Sequence, residues 1–254
     1  ELLAYSVLAL VLVAFGFLYV RSFYGIHAWF GAMKLPSWIK PVLGGLMTGA
    51  LGVGLCVYTR EPSTLSVLGI GYGVVQHALD AGASTLLAAG ILVAVALGKI
   101  FTTSFTIGSG GSAGVFGPSM VIGGCVGGAV GILLHLWFPA LAPQPAAFVV
   151  VGMAGFFSGV AKTPISTLVM VSEMTGSYAL LLPALWVCVA TFALSRRWSL
   201  YSEQVAGRIE SPAHRDHLAV DVLLGIKVRE VQDPPAAVHT VHLADSLERL
   251  LDVA

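Results

Sequence analysis

The chain reads as an all-α integral membrane protein made of broken, tilted helices of unequal length, followed by a short cytoplasmic tail. Three observations predict this. Hydrophobic residues make up 57% of the 254 residues and charged ones only 10%, where a soluble domain carries roughly a quarter. Mean hydropathy is +0.89. Apolar runs long enough to cross a hydrocarbon core of about 30 Å alternate with runs too short to do so, separated by glycine and proline.

The elements follow in order. Residues 2–20 form the first membrane-length run. Arg21, Lys34 and Lys40 come after it, and Pro36 with Trp38 marks an interfacial connection. Residues 41–58 are a second span, rich in glycine, that closes at a polar break over 59–64. Residues 65–79 are apolar, short for a span and interrupted by Gly69, Gly71 and Gly73. Residues 85–107 form a third long segment, with Lys99 inside it. A glycine-rich loop, Gly108 to Pro118, then opens into an apolar helix over 119–137. A proline-rich turn spans 139–145, and segments 146–160, 164–174 and 180–194 complete the apolar part. Unequal, glycine- and proline-interrupted segments are the pattern of a transporter whose broken helices meet near the membrane midplane. An anchor or receptor needs only uniform spans.

Composition changes at Arg196. From there on the chain holds seven of its thirteen Lys and Arg residues and no membrane-length apolar run, which places the tail in the cytoplasm under the positive-inside tendency. Within it, residues 225–231 read as a short strand or connection. Residues 244–253 read as an amphipathic helix capped by Asp245 or Ser246. The amino end shows no initiator Met, basic region or small-residue cleavage site, so it is not read as a signal peptide. The expectation is a chain that begins inside a longer protein and stops before its last domain closes.

Several function classes are set aside. No basic patch with interleaved aromatics points to nucleic acid. Cys56, Cys125 and Cys188 lie in apolar segments without CxxC or Cys/His spacing, so they read as small buried hydrophobes rather than zinc ligands or a disulfide framework. Gly108-x-Gly110-x-x-Ala113 fits a dinucleotide fingerprint formally. That reading needs a preceding strand and an acidic residue about 20 positions on, yet no Asp or Glu occurs between Asp80 and Glu173. A P-loop would need Gly-Lys-Ser/Thr, where this loop has Phe116-Gly117-Pro118. No cofactor, metal or enzymatic chemistry is implied.

Two readings of the glycine loop stand side by side. Gly123, Gly127 and Gly131, with Gly124 and Gly128, form small-xxx-small stripes suited to close helix packing. A glycine loop feeding a helix amino end also gathers unpaired N–H groups and the positive end of the helix dipole, which attracts anions. Pro118 belongs in a first turn, where no N–H is needed, and leaves the amides of Val115 and Phe116 free to point at a ligand. Uncharged amides compensate an anion's dehydration without holding it as tightly as a buried Lys would.

Lys99, Lys162 and Glu173 are ionisable residues in or near apolar segments and are candidates on that ground. Lys162 and Glu173 lie eleven positions apart, about 16 Å along a helix, too far to pair directly. Both read as structural, Lys162 in a loop before Pro164 and Glu173 at a helix end near Gly176. His135 is expected at the interface, and His77, His214 and His217 lack ligand spacing. Taken alone, Tyr201 is an interfacial aromatic.

Gly114-Val-Phe-Gly-Pro118 resembles the GxFxP motif of the CLC family of chloride channels and proton-coupled chloride transporters. The surrounding residues 109–124 resemble its bacterial members. Further matches come in the family's order: residues 164–175, with Ser172-Glu-Met-Thr; Ser199-Leu-Tyr-Ser, which resembles the segment bearing the pore tyrosine; and, past Lys227, the opening of a CBS domain.

The resemblance implies an anion site formed by Gly114, Val115, Phe116, Gly117 and Pro118, with the amides of Val115 and Phe116 as ligands. The Tyr201 hydroxyl would donate to the anion near the cytoplasmic entrance. It implies three regions: a membrane repeat over 1–200, a last pore helix and linker over 201–226, and the start of a CBS-like domain over 227–254. It further implies chloride or a similar small anion as substrate, a lipid bilayer of the bacterial inner membrane, a homodimer, and an adenine nucleotide at a complete CBS pair. The family's GSGIP-type and GxExP motifs, which belong to the first half of its inverted repeat, are absent from these residues. The chain is therefore expected to be the second repeat only. A non-transporting membrane scaffold or half-repeat partner subunit is the rival reading.

Overall fold

A computed structural model describes residues 2–80, 85–176, 178–205 and 211. Among these residues the structure is all-helical and contains no strand. Contacts divide the chain into two units, Glu1–Ser202 and Glu203–Ala254. The pore helix expected within 201–226 is not seen at 201–205, which are non-helical. Apart from residue 211, its remainder lies outside the described residues, as do the strand and helix expected over 225–231 and 244–253 and the CBS-like start at 227–254.

The first unit begins with α1 (Leu2–Ala32). Its 31 residues run about 46 Å, longer than a bilayer core is thick, so the helix must tilt or project beyond it. The expected end at residue 20 is overrun by twelve residues. Arg21, Ser22 and His27 carry no helix-breaking geometry, and the chain stops being helical only just before Leu35-Pro36. Proline disfavours a helical residue ahead of it.

Next comes α2 (Ile39–Thr59), which ends with Arg60 in the left-handed region. The short apolar stretch after it splits into a 3-10 turn (Pro62–Val67) and α3 (Tyr72–Asp80), broken at Gly71 with φ +91°. Helix α4 (Leu86–Gly108) is capped by Thr85, whose side chain accepts from Ala88 N at 3.2 Å. After α5 (Phe116–Trp137) come α6 (Pro145–Ala161) and α7 (Pro164–Thr175), both with proline in the first turn, and α8 (Leu181–Leu194). Each expected apolar segment beyond the first thus ends within a residue or two of its helix or, for 65–79, resolves into two pieces.

Four helices, α1, α2, α4 and α5, are long and apolar enough to cross a membrane, while α6 and α8 are apolar but shorter. Burial sorts them into layers. In α2 only 11% of the most apolar window is buried, whereas in α5 the figure is 72%. Val42, Leu46, Val53 and Val57 of α2 stand exposed, as on a helix whose outer face meets lipid.

The centre is the α5–α6 pair, and the glycine stripe explains it. A Cβ on Gly123 would stand 2.5 Å from Gly152 O, one on Gly131 2.8 Å from Phe148 Cβ, and one on Gly127 against Phe148 O. Gly152 of α6 returns the contact onto Gly123 and Gly127. The two backbones touch because neither has side chains between them, which is how apolar helices gain dispersion contacts where burial from water offers little.

Candidate functional site

The glycine loop divides into two parts with different work. Its first part closes α4. Gly110 has φ +97°; Gly111 N donates to Thr106 O at 3.0 Å and Gly110 N to Ile107 O at 3.0 Å. This is the Schellman pairing, which satisfies the last carbonyls of α4. Gly111 has no room for a side chain, since a Cβ would lie 2.5 Å from Thr106 O.

The second part opens α5. Val115 is its N-cap, with helical φ −93° and ψ −11° and no side-chain cap hydrogen bond. The first amides of the helix have no carbonyl one turn back to receive them. Pro118 stands in that first turn, as expected, and lacks a donor of its own. Nothing lies within 4 Å of a Cβ placed on Gly114, and a Cβ on Gly117 would sit 3.8 Å from the Tyr72 hydroxyl. The ring of Phe116 packs edge-on against Phe157 at 5.1 Å.

A cavity of about 110 Å³ adjoins this loop, lined by Thr48, Lys99, Thr102 and Thr106 together with Gly114 and Pro118. Lys99 is 2% exposed. Its ammonium donates to Ser66 O at 3.2 Å, Val67 O at 3.4 Å and Gly69 O. It therefore closes the carbonyl end of the 3-10 turn, as a cation at a helix C-terminus does.

Behind the first turn of α5, Ser119 is fully buried and its hydroxyl donates back to Val115 O at 2.6 Å. Tyr19 of α1 lies beside it. Its ring stacks on Phe156 at 6.0 Å and meets Phe23 edge-on at 6.3 Å. The Tyr19 hydroxyl is near enough to Ser119 and Tyr201 to interact electrostatically with both. It forms no hydrogen bond of acceptable geometry with either.

Tyr201 is 44% exposed, and its position is set by the segment around it. Leu200 N donates to Val160 O at 2.8 Å, at the free carbonyl end of α6, and Ser199 Oγ donates to the same oxygen at 3.3 Å. Tyr24 of α1 donates to Leu200 O at 2.8 Å and accepts from Ser202 N at 3.1 Å. The structure thus brings α1, the amino end of α5, the carboxyl end of α6 and Tyr201 into one region.

The other ionisable candidates are structural. Lys162 caps α6 in the left-handed conformation, φ 63°. Its ammonium donates to Gly159 O at 2.7 Å and to Ser195 O and Oγ, and lies 4.9 Å from the centre of the Trp198 ring. Glu173, in the last turn of α7, accepts from the Tyr178 hydroxyl at 2.7 Å, which raises the pKa of that phenol. His135 turns its Nδ1 to Ala142 O at 2.8 Å and ties down the turn after its own helix. Cys125 and Cys188 are buried and Cys56 partly so, all three free thiols.

Tyr19, Tyr24, Ser119 and Tyr72 are the participants that reading the sequence missed. Tyrosines inside an apolar run carry no motif; the available signal was a polar atom on an otherwise apolar helix, which by itself names no partner.

Fold and site together define a polytopic membrane protein whose broken helices converge on an uncapped helix terminus. The profile of the voltage gated chloride channel family matches residues 1–196, and the chain belongs to that family. Over 140 residues it is 34% identical to the H(+)/Cl(−) exchange transporter ClcA of Vibrio cholerae, covering 55% of this chain and 28% of that protein. Over 184 residues it is 35% identical to the voltage-gated ClC-type chloride channel ClcB of Escherichia coli, covering 71% of this chain and 41% of that one. The chain thus spans less than half the length of these curated relatives. The crystal structure of a slow cyanobacterial Cl−/H+ antiporter shares the fold, with a TM-score of 0.62 and 24% identity over 78% of this chain and 44% of the other.

Proposed function

We propose that this chain forms one wall of a transmembrane pathway for chloride or a similar small anion, as channel or proton-coupled exchanger. The carrying observation is the amino end of α5. Its cap residue, Val115, offers no side-chain hydrogen bond, and Pro118 sits in a first turn whose amides have no internal acceptor. The helix dipole adds positive potential there, and the low dielectric of a membrane interior strengthens it.

In this reading the amides of Val115 and Phe116 hold the anion, Gly114 and Gly117 leave the approach open, and Tyr201 donates from the cytoplasmic side. Membership of the family and the names of the relatives support chloride as the substrate class. The ordered motifs support placing the chain in the second repeat of the family's membrane domain, with the opposing wall supplied by a first repeat. A homodimer in a bacterial inner membrane, a cytoplasmic tail and an adenine nucleotide at a complete CBS pair belong to the same proposal.

The test is calorimetric titration of chloride into the detergent-solubilised protein with both repeats present, paired with chloride efflux from proteoliposomes of that same protein. Binding that Tyr201→Phe weakens, together with efflux, is the expected result. Absence of both binding and efflux overturns the proposal, and binding without efflux returns the chain to the scaffold reading.

A further inference from the structure

Tyr19 is 0% exposed, and its hydroxyl is the buried side-chain polar atom without a hydrogen-bond partner among the described residues. Buried hydroxyls are nearly always paired, because an unmet donor keeps its full desolvation cost. Packing does not explain this one. The ring contacts of Tyr19 are with Phe23 and Phe156, and a phenylalanine would make both.

The surroundings say what is missing. The polar neighbours of the Tyr19 hydroxyl are Ser119 and Tyr201. Ser119 has already committed its proton to Val115 O at 2.6 Å, the carbonyl of the residue that caps α5. Tyr201 brings a second phenolic proton. Just ahead lie the first amides of α5, without a side-chain cap. Hydroxyl and amide donors converge here, and no oxygen among the described residues accepts from Tyr19. A ligand that only accepts hydrogen bonds satisfies this set, whereas a cation meets the positive end of the helix dipole.

We propose that the Tyr19 hydroxyl is a third class of donor to the bound anion, beside the α5 amides and Tyr201. The assignment rests on the anion-site reading of α5. It makes Tyr19, 96 positions before Val115, a binding residue delivered by α1.

Tyr19→Phe tests it, since the change removes one oxygen and keeps the ring. Chloride affinity is measured by calorimetry on wild type, Tyr19→Phe and Tyr201→Phe, each in the protein with both repeats present, together with melting temperature with and without chloride. The expected result is an affinity loss of about tenfold for Tyr19→Phe, the size of one hydrogen bond to a charged group. The melting temperature without chloride should be unchanged or higher, because an unmet donor is gone, and the upward shift on adding chloride should shrink. Unchanged affinity in Tyr19→Phe, with affinity reduced in Tyr201→Phe, overturns the role of Tyr19 and leaves the α5 site standing. Wild type that binds no chloride removes the α5 site, and Tyr19 with it. Crystals soaked in bromide provide a second readout. An anomalous peak within hydrogen-bonding distance of Tyr19 Oη supports the assignment, and a peak at α5 beyond that distance, or a water on the hydroxyl instead, overturns it.

Discussion

The hydroxyl of Tyr24 donates to the carbonyl oxygen of Leu200 at 2.8 Å, joining residues 176 positions apart. The phenolic oxygen of Tyr24 in turn accepts from Ser202 N at 3.1 Å. One phenol on α1 therefore holds the backbone on both sides of Tyr201. With the backbone held on both sides, Tyr201, 44% exposed, has fewer positions to sample, so a ligand meeting its hydroxyl would bind at a smaller entropy cost.

Tyr24→Phe should therefore loosen the Tyr201 segment without touching the anion. The loss of two hydrogen bonds is expected to cost about 1–2 kcal/mol locally. Hydrogen exchange at Ser202 should quicken roughly tenfold, and chloride affinity should fall by a few-fold. Unchanged exchange at Ser202 would show that α6, through Val160 O, holds the segment alone.

Gly127→Ala should disrupt the α5–α6 contact, where the added Cβ meets the carbonyl of Phe148. Overpacking of this kind costs about 1–3 kcal/mol. Gly54→Ala, with nothing within 4 Å of its Cβ position, is the control and should be neutral or stabilising by about 0.5–1 kcal/mol. Thermal melting of the two variants in detergent compares them directly, and equal melting temperatures would refute the packing account.

Lys99→Met should destabilise the junction between α4 and the 3-10 turn. Val67 O keeps a donor in Thr102 Oγ1 at 3.0 Å, but Ser66 O and Gly69 O lose the Lys99 ammonium that reaches them. Buried carbonyls left in this way cost about 1–3 kcal/mol each. Size-exclusion profile and melting temperature are the readouts, and a variant as stable as wild type would mean that water fills the place of the ammonium.

Gly110→Ala and Gly114→Ala should fail differently, although both lie in the glycine loop. Gly110 has φ +97°, so alanine there is strained by about 1–3 kcal/mol and the melting temperature should drop. Gly114 has open space around its Cβ position, so the fold should survive while the methyl group narrows the approach to α5. Reduced chloride affinity at an unchanged melting temperature is the expected signature of Gly114→Ala.

Much of the fold was legible because its signals are local. Apolar runs of membrane length, prolines at helix starts and polar breaks at helix ends mark helices without reference to distant residues. The same locality misplaces the end of the first helix. Arg21 ends an apolar run, but a charge at a span boundary does not unwind a helix, and α1 continues to Ala32. The glycine loop is legible only in part. Its run of glycines looked uniform, whereas Gly110 and Gly111 are required by the carbonyl end of α4 and Gly114 onward by the amino end of α5. Spacing cannot separate those demands, because both ask for a residue without a Cβ.

The character of the chain follows from the sequence alone: membrane-embedded, all-helical, interrupted, with a glycine loop that opens into a helix. These are consequences of composition and of backbone preferences within a few residues. What faces that helix end is a matter of packing. Tyr19, Ser119, Tyr24 and Tyr201 meet only because α1 packs against α5 and α6, whose own backbones touch through their glycines. No periodicity in the chain encodes that a phenol at position 19 lies near one at position 201, since the contact exists only once the helices between them have packed.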